Sequence, residues 1–249
     1  MSTMISVPAG IADLTLLELR KILSTRGTRW VLIVTVFLSA LMGLGAIVLS
    51  TVTGSSKTEF AIAAVGLSLS VLLFSPIVAI LVVSGDWQSR DVMTLFALVP
   101  RRAGVFWSKA IATVVLVVGL LAASLIVALV TTVLVALFSG RQFAWGTGIG
   151  TGFGLIVSGA LAGTLSGIAI GSALLRPAVA IVVVILANLG VDPALSLLPN
   201  GIGSYLQYRA IPNAFAGDAT GWMVITSTLL WVIVPGIIGF WRNETKDVQ

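Results

Sequence analysis

The stretch GDWQSRDVMTLFALVPRRAGVFWSK, residues 85–109, separates two apolar runs that are each long enough to cross a bilayer. Its six charged residues are Asp86, Arg90, Asp91, Arg101, Arg102 and Lys109. Its apolar residues at the spacing of one helical stripe are Val92, Leu95, Phe96 and Val99. Acidic residues near the beginning of this stripe and arginines after its end complement a helix dipole, and Pro100 stops the helix. The pattern predicts a short helix lying against the membrane surface, with a plain positively flanked loop as the alternative.

The composition excludes most soluble classes and most chemistry. Of 249 residues, 58% are hydrophobic and 9% are charged, whereas soluble domains carry roughly 25% charged residues. The sequence has no Cys and no His, which removes disulfides, thiol chemistry and imidazole ligands or bases. It also has no phosphate-binding loop of the GxxxxGK[ST] type. We therefore expect a polytopic membrane protein that is not an enzyme and binds no metal or cofactor of its own.

Six apolar runs predict six transmembrane helices. The predicted spans are 30–52, 60–84, 110–138, 150–175, 178–189 and 222–241. They are joined by the central loop 85–109 and by an irregular outer region at 190–221, and a charged tail follows at 242–249. With the N-terminus in the cytoplasm, eleven Lys and Arg residues lie on that side and three lie outside. The positive-inside rule therefore predicts that both ends are cytoplasmic, and the basic residues at span ends are no sign of nucleic-acid binding.

Residues 1–29 are predicted to form a tail and an amphipathic helix that lies in the membrane interface. Its apolar face consists of Ala12, Leu16, Leu19, Ile22 and Leu23. Its polar face consists of Asp13, Arg20, Lys21 and Ser24. A helix that is apolar on one side and basic on the other is typical of interfacial anchors that contact membrane lipid.

Two further patterns suggest packing and gating. The fourth span carries glycines at a spacing of four residues: Gly159, Gly163, Gly167 and Gly171. Such a ladder lets another helix approach closely, either as static packing or as a seam that slides during a conformational cycle. Asn188 and Asp192, four residues apart near the outer end of the fifth span, either cap the irregular outer region or contact a solute as an outer gate.

The central stretch resembles that of a known family. Gly85-Asp86, Thr94, Pro100-Arg101-Arg102 and Lys109 fall on the pattern of the ABC-2 type permeases, the membrane subunits of ABC exporters, although Glu is commoner than Asp at position 86. The N-terminal amphipathic helix and the six spans are also similar to that family.

The resemblance implies an all-α integral membrane protein of the bacterial plasma membrane. It implies a cytoplasmic coupling helix that docks on a separate ATP-binding subunit, which would hold the ATP and Mg²⁺. The residues implied in this coupling are Asp86, Arg90, Asp91, Thr94, Phe96, Pro100, Arg101, Arg102 and Lys109. It further implies a second permease copy or a sister permease as partner, and reentrant helices between spans five and six. Snorkelling of the arginines to anionic lipid is the alternative to a contact with the ATPase.

The resulting expectation is a permease that exports a lipophilic or amphipathic compound, such as a drug, lipid or peptide, with antibiotic resistance as one form of such efflux. An ion-coupled carrier or channel that works without an ATPase is the main alternative. The absence of charged residues from the middle of the predicted spans speaks against it, because ion-coupled carriers use such residues as relays. A membrane scaffold that transports nothing is the third possibility.

Overall fold

A computed structural model of the chain describes residues 10–52, 54, 57–89 and 102–245. Six of its helices are long and apolar enough to cross a membrane. These spans one to six are Arg26–Val52, Phe60–Gly85, Gly104–Ser139, Gly150–Leu174, Pro177–Ser196 and Gly221–Asn243. The prediction of a helical, multi-pass membrane protein is confirmed.

The helices of spans two and three extend into the predicted central loop. They run over Phe60–Ser89 and Arg102–Ser139, so Gly85 and Lys109 are helical. A helix satisfies its own backbone hydrogen bonds, and it can therefore continue beyond the end of an apolar run. Both ends of the predicted loop 85–109 are therefore helical. The predicted surface helix falls on 90–101, which lies outside the described residues.

Spans two and four form the centre of the bundle. They are 59% and 67% buried over their most apolar windows, against 22% for spans one and five and 11% for span six. Leu67 and Val71 of span two and Ala160 of span four belong to the same buried cluster. The outer spans expose many large apolar side chains, as expected where lipid or another membrane protein covers them.

The N-terminal helix Ile11–Ser24 packs against spans three and one. Its buried residues are Thr15, Glu18 and Ile22, and Leu19 packs half-buried against the core. Leu16 and Leu23, predicted on the same apolar face, lie more than half exposed on the outer surface of the helix. One part of the broad apolar face therefore packs against the bundle, and the other part faces the surroundings. Arg20 is exposed and Lys21 is partly buried.

Two short strands join the connections between the spans. Lys57–Glu59, before span two, pairs in parallel with Gln142–Ala144, after span three. The ring of Phe60 packs edge-on against Trp145 at 5.7 Å. The two connections therefore meet at the same end of the bundle.

Spans five and six both contain a π-helical turn. Span five consists of Pro177–Leu186, the π turn Ala187–Val191 and the helix Asp192–Ser196. The helix of span six consists of Gly221–Thr228, the π turn Leu229–Ile233 and Val234–Thr245. Between them lie a 3-10 helix at Pro199–Tyr205 and a helix at Ala210–Ala216.

Span five is longer than the predicted 178–189, and the predicted outer region from 190 to 221 begins inside its helix. The wider π turn directly before Pro193 relieves the clash that a proline ring makes with preceding carbonyl groups. The helix can therefore pass a residue that otherwise marks a boundary.

Candidate functional site

Asp192 anchors the chain segment that follows span five, residues 197–220, which we call the connecting segment. Its carboxylate is buried, with 4% of the residue exposed. The backbone N–H of Tyr208 donates to its Oδ1 at 2.6 Å, and that of Arg209 donates to its Oδ2 at 3.0 Å. The Nε atom of Arg209 lies 3.8 Å from Oδ2. The carboxylate thus accepts hydrogen bonds from two backbone N–H groups at the beginning of the helix Ala210–Ala216, which would otherwise need water as their acceptor.

Tyr208 joins the connecting segment to spans four and six. Its hydroxyl shares a short hydrogen bond with the hydroxyl of Ser166, and it also bonds to the Asn188 side chain. Its ring packs edge-on against Trp231 at 5.6 Å, and the indole N–H of Trp231 donates to the Leu206 carbonyl at 2.9 Å. Burial raises the pKa of the Tyr208 phenol to about 12, against smaller opposing effects of the hydrogen bonds. The phenol is therefore neutral at physiological pH.

The connecting segment turns back into the bundle. Ser166 lies within about 6 Å of the middle of span four, at a rise of ~1.5 Å per residue. Trp231 lies next to the middle of span six. Because Tyr208 contacts both residues, the connecting segment reaches the level of the span midpoints.

Both π-helical turns face this cluster. Asn188 belongs to the π turn of span five and Trp231 to that of span six. The Nη2 of Arg209 donates to the Asn188 carbonyl at 3.1 Å, so a side chain partners a backbone group of the widened turn. Single π-helical turns in membrane and soluble helices frequently mark functional sites.

A cavity of about 450 Å³ lies beside the cluster, between spans one, two, four and five and the connecting segment. Its polar wall is formed by Asn188, Tyr208, Arg209 and Asn213. The rest of the lining comes mostly from spans one, two and four and is apolar except for Ser70. Of the predicted outer gate, Asn188 lines this cavity, whereas Asp192 lies behind the wall and holds its backbone in place.

The glycine ladder of span four lies against span two. A β-carbon on Gly159 would clash with Leu72, and one on Gly163 would lie 2.8 Å from the Ser75 hydroxyl. One on Gly167 would lie 2.8 Å from the Ala79 β-carbon, and one on Gly171 would lie 3.2 Å from the Ile80 α-carbon. The ladder therefore forms the contact between the two central spans.

The predicted coupling residues are only partly described. Asp86 lies near the end of the helix of span two, and Arg102 begins that of span three. Lys109 is 5% exposed and packs inside the bundle. The others lie outside the described residues: Arg90, Asp91, Thr94, Phe96, Pro100 and Arg101.

The described residues contain no group of three or more acidic, His or Cys side chains that could hold a metal ion. No family model matches the chain, and no curated protein matches its sequence. The assignment of a function therefore depends on the residues of this chain.

Sequence reasoning missed most of the polar cluster. No pattern in the sequence predicts a role for Tyr208, which is one of two tyrosines. The sequence predicts for Arg209 only a position outside the membrane. The Ser166 hydroxyl donates to the Gly163 carbonyl at 2.9 Å, a bond within its own helix, and also bonds to Tyr208. The contacts join residues up to 42 positions apart, which no local pattern reveals.

Proposed function

We propose that this chain is the transmembrane permease subunit of an ATP-binding cassette exporter in the bacterial plasma membrane. In this proposal a separate subunit binds ATP and Mg²⁺ and hydrolyses the nucleotide, while this chain provides the path for the solute. Two permease chains, either two copies or one copy and a sister permease, assemble with the ATPase subunits.

The single observation that carries the proposal is the charged stretch around 90–101. It connects the two long helices of spans two and three, and its residues resemble the coupling region of ABC-2 type permeases. The turn of the connecting segment into the bundle adds support, because the same family resemblance implies reentrant helices between spans five and six.

The proposed cycle uses helix packing to carry motion across the membrane. ATP binding closes the ATPase subunits and shifts the segment 90–101, which continues directly into span two at one end and span three at the other. Span two meets the glycine ladder of span four, a smooth surface on which one helix can slide past another. Two alternative packings of these helices would expose the path to opposite sides in turn.

The proposal is tested by co-purification and ATPase activity. The chain is expressed with a candidate ATP-binding cassette ATPase from the same bacterium, and Arg90→Ala and Arg101→Ala are compared with the wild type. We expect either substitution to lower permease-stimulated hydrolysis at least tenfold or to abolish assembly. Arg141→Ala is the matched control, because it removes a basic residue beside the strand Gln142–Ala144, a connection predicted to lie outside.

Two results would contradict the proposal. Unchanged assembly and hydrolysis in both variants would remove the coupling role of this segment. Solute flux in liposomes that contain this chain alone, driven by an ion gradient, would instead establish the ion-coupled carrier.

A further inference from the structure

The cavity beside the connecting segment has the size and the lining that are typical of a ligand-binding site. Its volume of about 450 Å³ falls within the range of pockets that hold drug-sized ligands. Such pockets combine a mostly apolar lining with a few convergent polar groups, and here four of the five polar lining residues come from span five and the connecting segment.

The polar wall mainly offers hydrogen-bond donors. The guanidinium of Arg209 is 52% exposed, and its only ion pair in the described part of the chain is the one with Asp192 at 3.8 Å. That separation exceeds the length of a hydrogen bond, and both oxygens of Asp192 already accept a backbone N–H. Among the described residues, the Nη1 atom of Arg209 has no hydrogen-bond partner, and the same holds for the side-chain amide of Asn213.

The charge on the cavity wall is therefore positive. None of the described residues that line the cavity is acidic, and Asp192 lies behind the backbone that carries Arg209. A guanidinium with unused donors pairs best with a carboxylate or a phosphate, which accept two parallel hydrogen bonds.

The remaining walls suit a hydrocarbon chain. Leu38 and Met42 of span one line the cavity together with Leu69, Leu73 and Phe74 of span two. Met42 is 47% exposed and Leu69 is 61% exposed, so both lie at the rim of the cavity, on the surface of the bundle. An amphiphile could enter there from the bilayer without passing through water.

We propose that this cavity binds an anionic amphiphile, with its carboxylate or phosphate at Arg209 and Asn213 and its hydrocarbon chain along the apolar residues that spans one and two contribute to the lining. The inference deepens the proposed function, because such a site gives the permease a class of cargo. Binding itself requires no nucleotide and no second subunit.

Photolabelling of the purified chain in phosphatidylcholine nanodiscs tests the site. The probe is palmitic acid with a diazirine near the chain end, and its methyl ester tests the need for the charge. We expect saturable labelling of residues in spans one and two, with an apparent affinity at least tenfold higher for the acid than for the ester.

Three variants locate the site. Arg209→Gln and Asn213→Leu remove donors from the polar wall, and Met42→Trp fills the apolar end from the rim. Each is expected to weaken labelling by the acid at least tenfold. Leu41→Trp is the matched control for Met42→Trp, because Leu41 directly precedes Met42 in the same helix, is 54% exposed and does not line the cavity.

The outcomes separate the possible explanations. Phosphatidylglycerol that displaces the acid identifies the occupant as a membrane lipid, whereas no displacement identifies a free amphiphile. Equal labelling by acid and ester, or labelling that Met42→Trp leaves unchanged, overturns the proposal. Because no ATPase is present, a failure here leaves the permease assignment untouched, and a failure to co-purify an ATPase leaves the binding result valid.

Discussion

Gly167→Ala is the sharpest test of the packing between the two central spans. A β-carbon at Gly167 would lie 2.5 Å from the Pro76 carbonyl oxygen and 2.8 Å from the Pro76 α-carbon. These are backbone atoms, so no rotation of a side chain can relieve the overlap. Overpacking of this kind costs about 1–3 kcal/mol. Alanine is favoured over glycine in a helix by about 1 kcal/mol, which leaves a net loss of stability of roughly 0–2 kcal/mol.

Gly152→Ala is the matched control for this prediction. Gly152 lies in the same helix, and a β-carbon there would meet nothing within 4 Å. Both variants gain the same helix propensity, so the difference between their unfolding free energies isolates the packing cost of about 1–3 kcal/mol. The measurement is reversible unfolding in mixed micelles of dodecyl maltoside and SDS, followed by circular dichroism. A Gly167→Ala protein as stable as the Gly152→Ala protein would refute the close contact of spans two and four.

Three further predictions concern the polar cluster and the strands. Asp192→Asn leaves one backbone donor poorly satisfied, so amide hydrogen exchange should rise at residues 205–209 by about tenfold, the equivalent of ~1.4 kcal/mol. In a Tyr205→Phe background, which leaves Tyr208 as the only tyrosine, ultraviolet absorbance should show ionisation near pH 12. Unfolded tyrosine ionises near pH 10, so the folded protein should lose stability as the pH rises from about 10 to about 12. Cysteines replacing Lys57 and Gln142, which lie opposite each other in the strand pair, should form a disulfide on oxidation.

The N-terminal helix illustrates how far a periodic pattern reaches. The sequence predicts the helix and its amphipathic character, and the structure has a helix at Ile11–Ser24. It does not reveal that Thr15 and Glu18 are buried while Leu16 is exposed. In a membrane protein the surroundings of the bundle are as apolar as its interior, so hydropathy does not tell which face of a helix contacts protein.

The polar cluster and its cavity depend even more on contacts that the sequence does not predict. Asn188 and Asp192 stood out in the sequence because polar residues near an apolar span are unusual, yet their roles differ, one on the cavity wall and one behind it. The contribution of Tyr208 depends on the connecting segment turning back to the level of Ser166, and the cavity depends on four spans meeting there.

The sequence by itself predicts how many helices are long and apolar enough to cross the membrane, because a bilayer about 30 Å thick needs roughly 20 apolar residues for each crossing. It also decides where small residues allow helices to approach. Only the tertiary structure decides which helices meet, how the connecting segment enters the bundle and where a cavity remains. These features follow from packing between residues far apart in the chain. The composition of a single span does not predict which other spans it contacts.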